Sequence, residues 1–250
     1  MVRAWLLGLP VLMLSTASIA QQFDVLLFSK TAGWHHESIN AGVTAVQHLA
    51  QKHHFSVFWT EDAERVFNDK ELGKYEAVVF LLTTGDVLND EQQAAFERYI
   101  RSGRGFVGIH SASDTEYKWD WYTGMVGHMF QRHPAIQTAT LKVENRDFPG
   151  MDRFAPRFLF TDEWYEFDSS RSKTLRYLLS IDESSYEPTA ERRKEPSTLH
   201  PLSWYQEYDG GRVFYTALGH LPETYSDQAF LHHIYGGIYW AATGRGFKSQ

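Results

Sequence analysis

Residues 105–115 read Gly105-Phe106-Val107-Gly108-Ile109-His110-Ser111-Ala112-Ser113-Asp114-Thr115. Gly105 to Ile109 are small or apolar and suit a short strand buried on both faces. At His110 the character changes to imidazole, hydroxyl and carboxylate. The segment Gly108-Ile109-His110-Ser111-Ala112 has the form of a nucleophile elbow, a sharp strand-to-helix turn that exposes its central side chain. That central residue is His110. An imidazole there can accept or donate a proton, or bind a metal, but is a poor covalent nucleophile towards an amide.

Upstream, the chain alternates strand and helix. Phe23–Phe28 and His54–Trp59 read as strands, and Ile39–Gln51 places Ile39, Val43, Val46 and Ala50 at helical spacing. Ala77–Leu82 is the strongest strand pattern in the chain. Asn89, with Gln92 three residues on, predicts a capping box opening a helix that Gly103 and Gly105 close. This β-α-β-β-α-β order predicts a parallel sheet with right-handed crossovers and helices on both faces. Downstream, strands are expected at Ala139–Glu144, Arg157–Phe160, Thr174–Ile181, Ser203–Tyr208 and Arg212–Ala217. Ser185–Thr198 reads as an exposed loop. A last helix from about Ser226 should bury Phe230, Ile234, Ile238 and Ala241. No repeat or linker interrupts the chain.

In an open parallel sheet, ligands bind beyond the carboxyl ends of the strands. Three strand ends lead into histidines: Trp34-His35-His36-Glu37-Ser38 after the first, His110 after the elbow strand, and Gly219-His220 after Val213–Leu218. These ends share one edge of a parallel sheet, so His36, His110 and His220 can converge. Glu163, in Asp162-Glu163-Trp164-Tyr165, joins them if its strand runs the same way. Convergent histidines with a carboxylate resemble either a metal site, with His36, His110 and His220 as candidate ligands, or an acid/base pair. Plainer readings stand beside these. Glu37 and Ser38 can simply cap a helix, and Asp162 and Glu163 can be solvated charges on an edge strand. A Ser-His-Asp triad drawn from Ser111, Ser113 and Asp114 requires serines that sit off the elbow tip.

Composition narrows the alternatives. Met1–Ala20 carries one charge, Arg3, an apolar run from Ala4 to Leu14 and a small-residue tail ending Ser18-Ile19-Ala20. This is the pattern of a signal peptide cut after Ala20, and predicts a periplasmic or secreted protein with a single domain over residues 21–250. Without Arg3, 23 basic residues face 31 acidic ones, a net of −8. Such a surface argues against nucleic acid or an anionic membrane as partner. There is no cysteine, which excludes thiolate nucleophiles, thiolate metal sites and iron–sulfur clusters.

The motifs taken together resemble the trehalose-utilisation, ThuA-like family. Trp34-His35-His36-Glu37-Ser38-Ile39 is similar to its aromatic-x-His-Glu-Ser-Ile stretch, with a departure at His35, where many members carry arginine. Gly108–Thr115 is similar to its Gly-x-His-x-Ala-x-Asp segment, and Asp162-Glu163-x-Tyr165 to its Asp-Glu-x-Tyr. His200-Pro201-Leu202-Ser203-Trp204 and Gly211–His220 are similar to its closing motifs. The resemblance implies an α/β three-layer sandwich, flavodoxin-like and similar to class I glutamine amidotransferases, with a mostly parallel central sheet. Amidotransferases place a cysteine at the elbow; with His110 there, glutaminase chemistry is excluded. The resemblance also implies sugar metabolism, with 3-keto sugars as a substrate class.

The expected catalytic residues are therefore His36, His110, Glu163 and His220. Trp34, Glu37, Asp114, His133, Tyr165, His200 and Trp204 are expected to bind the substrate. The expected function is an enzyme that isomerises or cleaves a keto-glycoside or related carbohydrate, with a divalent metal as one means of polarising the carbonyl. A non-catalytic carbohydrate-binding protein is the alternative, and a serine hydrolase the third reading.

Overall fold

The computed structural model describes residues 21–194 and 199–247. The proposed leader, Met1–Ala20, lies outside the described residues. Three β/α units and a fourth strand come first: β1 (Asp24–Phe28), α1 (Ile39–His53), β2 (Ser56–Thr60), the short helices α2 (Ala63–Val66) and α3 (Asp69–Leu72), β3 (Ala77–Leu81), α4 (Asp90–Arg101) and β4 (Gly105–Ile109). A 3₁₀ turn, His110–Asp114, and α5 (Asp120–Val126) follow. Then come β5 (Phe130–Arg132), β6 (Gln137–Val143), β7 (Arg157–Asp162), β8 (Glu166–Phe167), β9 (Arg176–Ile181), α6 (Ala190–Lys194), β10 (Pro201–Tyr208), β11 (Gly211–Thr216) and α7 (Gln228–Thr243).

Nine strands form one sheet in the order β2-β1-β3-β4-β11-β10-β9-β6-β7. The pairs from β2 to β11 are parallel, and those from β11 to β7 are antiparallel. Four antiparallel steps reverse direction twice over, so β9 and β7 again run with β1 and only β10 and β6 oppose it. The carboxyl ends of β1, β4, β11 and β7 therefore share one edge. The small sheet of β5 and β8 stands apart from it.

Side chains fix the layers. Successive residues of a strand point to opposite faces. Phe80 packs on Phe96 of α4 and Tyr122 of α5, whereas its neighbour Leu81 meets α1 at Gly42. Helices α4 and α5 thus cover one face and α1 the other, where α7 joins it, giving a three-layer sandwich. Close backbone packing sets the α7 distance: a Cβ on Gly105 would lie 2.3 Å from the Ala241 carbonyl oxygen.

The Asn89–Gln92 capping box is present, with both reciprocal hydrogen bonds at 2.9 Å. Helix α7 buries Phe230, Ile234, Ile238 and Ala241. The segment expected to be an exposed loop differs: Tyr186 is buried and residues 190–194 form α6. Its apolar content is too sparse for periodicity to reveal, and Thr189 and Arg192 anchor it to the buried carboxylate of Glu166 and to Glu183.

Candidate functional site

His110 opens the 3₁₀ turn with φ of 51°, the left-handed conformation that turns the chain sharply out of β4. The turn needs a small residue two positions earlier. A Cβ on Gly108 would come within 2.9 Å of Tyr215 and 3.1 Å of Ala112. The Tyr215 hydroxyl donates to the His110 carbonyl at 2.7 Å and also meets Ser113 Oγ at 2.8 Å, locking the elbow.

The imidazole of His110 is fully buried, and its Nδ1 donates to the Ala217 carbonyl oxygen at 2.7 Å. In a neutral ring that bond places the lone pair on Nε2. Nε2 faces His220 Nδ1 at 3.2 Å and Glu163 Oε2 at 3.5 Å. His220 Nδ1 in turn lies 3.2 Å from the same Oε2. Glu163 Oε1 lies 3.0 Å from His133 Nδ1, which also meets the Pro134 carbonyl oxygen at 2.9 Å. His36 stands edge-on to both rings, 5.0 Å from the His110 centroid and 5.3 Å from that of His220. One donor atom from each of His36, His110, Glu163 and His220 falls within 4.8 Å of the other three.

Electrostatics separate the groups. Burial, reinforced by the charges of His110 and His220, lowers the His36 pKa to about 3, so this ring is neutral near pH 7. Burial pushes the Glu163 carboxyl up, but the His110 and His220 imidazoles beside it outweigh that and hold the group well below the carboxylate range. Burial likewise works against protonation of His220, and its bond to Glu163 reverses the sign, leaving its pKa raised. Asp114 moves opposite to Glu163. Burial raises its carboxyl, although the Tyr117 hydroxyl donates to it at 2.8 Å.

These groups open into a cleft of about 400 Å³ lined by Trp34, His36, Asp114, Phe130, His133, Glu163, Tyr165 and His220. The Tyr165 ring lies 4.2 Å from His110 and 4.1 Å from Phe130, giving an aromatic wall. Trp34 is 71% exposed at the mouth. Its loop is pinned to the end of β3, with Ala32 N–H donating to the Thr84 carbonyl at 2.7 Å and Thr84 Oγ1 to the Trp34 carbonyl at 2.8 Å.

Three expected substrate-binding residues do not line this cleft. Trp204 is fully buried, donates from Nε1 to the Val126 carbonyl and stacks on Tyr215 at 4.4 Å. His200 is also buried and supports the wall from behind, donating from Nε2 to the Tyr165 carbonyl at 2.7 Å. Glu37 is exposed next to His36. The serines drawn into a triad are fully buried: Ser113 is committed to Tyr215, and Ser111 Oγ lies 3.5 Å from His36 Nδ1, behind that ring.

Asp162 plays a part that the sequence does not announce. Its buried carboxylate accepts from Gly219 N–H at 2.8 Å, Glu163 N–H at 3.0 Å and Leu221 N–H at 3.3 Å. It thereby ties the loop bearing His220 to the strand end bearing Glu163. Gly219 adopts φ of 118° here, where a Cβ would strike the Tyr225 hydroxyl at 2.7 Å. Phe130 and Tyr117 were also unforeseen; they come from a segment without clear periodicity.

The fold has known counterparts. A ThuA-like protein from Bacteroides uniformis ATCC 8492 superposes with a TM-score of 0.75 at 20% identity, over 94% of this chain and 95% of that one. A ThuA-like protein from Parabacteroides merdae ATCC 43184 gives 0.73 at 18%, over 92% and 93%. PurLQS from Thermotoga maritima gives 0.52 at 14%, over 89% and 99%. No curated protein matches the chain in sequence. The ThuA family model, described as trehalose utilisation, matches residues 24–241, from the first residue of β1 to the last turn of α7. With every convergent side chain inside that match, this chain belongs to the ThuA family.

Proposed function

We propose that the chain is an exported enzyme of sugar metabolism that isomerises or cleaves a keto-glycoside or a related carbohydrate. The observation that carries this reading is the convergence of His36, His110, Glu163 and His220 on a cleft whose other walls include the rings of Trp34, Phe130 and Tyr165. Aromatic faces take the apolar face of a sugar ring, and a few polar groups fix its orientation. The residue composition of Met1–Ala20 supports export.

A ketone on the ring acidifies the neighbouring C–H bond, and the chemistry needs a base beside a group that stabilises the developing oxyanion. The two carboxylates of the cleft are pushed apart in pKa, which divides such roles. Glu163 stays ionised and, by raising the pKa of His220, keeps that imidazole as a hydrogen-bond donor for the carbonyl oxygen. Asp114, raised by burial, exchanges the proton. Neutral His36 donates a further hydrogen bond to the oxygen. Trp34 and Tyr165 hold the ring.

Incubating the purified chain with 3-keto-glycosides in deuterium oxide and following the sugar by NMR tests this. The expected result is deuterium incorporation next to the carbonyl, followed by isomerised or cleaved product. His110→Ala should abolish turnover and leave thermal stability largely intact. Binding without exchange or product from any keto sugar would replace the enzyme reading with that of a carbohydrate-binding protein.

A further inference from the structure

Three atoms at the centre of the cleft have too few protons between them. His110 Nε2, His220 Nδ1 and Glu163 Oε2 form a triangle with edges of 3.2, 3.2 and 3.5 Å. The carboxylate oxygen only accepts. His110 gives its ring proton to the Ala217 carbonyl, so its Nε2 also accepts when the ring is neutral. His220 Nδ1 offers at most one proton, which reaches one partner at a time. At least one pair of lone pairs therefore faces another at contact distance, in a spot where His110 is fully buried and Glu163 is 6% exposed. Buried polar atoms are normally satisfied.

We infer that His110 Nε2, His220 Nδ1 and Glu163 Oε2 are the three protein ligands of a divalent metal centre of the zinc class, open on its fourth side to the cleft. Metal–nitrogen and metal–oxygen bonds of about 2.0–2.2 Å at tetrahedral angles separate ligand atoms by about 3.3–3.5 Å, which is the size of the triangle. The donor set, two imidazoles and a carboxylate, is one that catalytic zinc sites use, with the fourth position left for water or substrate. A cation satisfies all three lone pairs at once.

The surroundings hold the ligands as such a centre requires. Ala217 fixes the tautomer of His110, and His133 Nδ1 lies 3.0 Å from the second oxygen of Glu163. Asp162 fastens the backbone N–H of Glu163 and those on either side of His220. Partners of this kind set ring orientation and ligand basicity. His36 completes the group within 4.8 Å but has no short contact to the triangle. It flanks the open position, where a bound oxygen would meet it, and is not one of the three ligands.

This inference concerns the same cleft but does not depend on which substrate enters it. The test is metal analysis of the purified full chain, then titration of chelator-treated protein with zinc and with cobalt. Uptake is read by elemental analysis, by the visible absorption of low-coordinate cobalt and by the shift in melting temperature. Wild type should bind about one ion per chain. Glu163→Gln, His110→Ala and His220→Ala should each weaken binding more than about 100-fold, beyond the loss typical of an outer-shell change. His36→Ala should keep the ion, and His232→Ala, on the far helix α7, should change nothing. Circular dichroism separates loss of ligand from loss of fold, and Glu163→Gln preserves side-chain size. Folded wild type that takes up no ion overturns the inference, as does uptake that survives all three ligand substitutions. Turnover of a keto sugar by metal-free enzyme would also overturn it while leaving the sugar reading intact. A tightly bound ion with no turnover of any sugar would do the reverse.

Discussion

His233 should act as a built-in limit on acid stability, and the structure supplies the size of the effect. It sits in α7 at zero exposure, packed against the rings of Phe214 and Phe154. Ser203 donates its hydroxyl proton to the Tyr215 carbonyl, so it accepts from His233 Nε2 at 3.0 Å. That leaves Nδ1 buried with no partner, and a second ring proton has nowhere to go. Burial accordingly lowers the pKa from 6.5 to about 3. Between those values the unfolded chain binds a proton that the folded chain refuses. The stability is complete above the unfolded value and is lost as pH falls towards the folded one. The loss approaches 1.4 kcal/mol per pH unit, or about 2 kcal/mol at pH 5. His233→Leu removes the titration and changes stability at pH 7.5 only modestly, exchanging about 1 kcal/mol of hydrogen bond for an unpaired acceptor. Urea unfolding of both proteins at several pH values between 7.5 and 4.5 isolates the term, since every other group is common to the pair. The variant should gain on wild type by about 2 kcal/mol between pH 7.5 and pH 5. A flat difference curve would refute the assignment of a buried, neutral His233.

Asp162→Asn keeps the shape of the brace but sets an amide NH₂ against backbone donors that now meet carboxylate oxygens. It should cost about 2–3 kcal/mol in chemical denaturation and lower turnover or metal affinity about 10–100-fold; wild-type values for both would show that the His220 loop stands without it. Trp34→Ala removes an exposed ring and should leave melting unchanged while raising KM for the sugar about threefold to tenfold at constant kcat, from about 0.5–1.5 kcal/mol of stacking. A fall in kcat alone would place Trp34 elsewhere in the reaction. Gly236→Ala puts a Cβ 2.0 Å from the Pro149 carbonyl oxygen and should destabilise by at least about 2 kcal/mol despite the higher helix propensity of alanine; an unaltered melting temperature would contradict the close approach of α7 to that loop.

The parallel half of the sheet was legible because β1, β3 and β4 are buried on both faces and helices punctuate them. The histidines after β1, β4 and β11 could be aligned on that ground alone. Glu163 could not, since its place depends on the direction of β7. That direction is set by two reversals, through β10 and β6, which no local pattern encodes. The opposite failure occurred at His200 and Trp204. Their motif marks residues that shape the cleft, but recurrence along a chain does not distinguish a residue that lines a wall from one that supports it. His200 reaches the site through the Tyr165 carbonyl, and Trp204 through Tyr215 and Phe167. Asp162 was hidden for a related reason: its three backbone partners include Gly219 and Leu221, more than fifty residues away.

The elbow explains why one fold serves different chemistries. The left-handed turn at position 110 projects a side chain from the end of β4 towards the ends of β7 and β11, whatever that side chain is. A thiol there would be a nucleophile. An imidazole in the same place is held at Nδ1 by the Ala217 carbonyl, so what it presents is a fixed lone pair. A fixed lone pair is of little use for covalent attack, yet it is what a shared proton or a metal ion requires. It gains partners only because the next strand end supplies His220 and the reversed sheet returns Glu163 to the same edge. The backbone turn thus sets where the side chain at position 110 stands, and the residue there together with the two neighbouring strand ends sets which groups it meets.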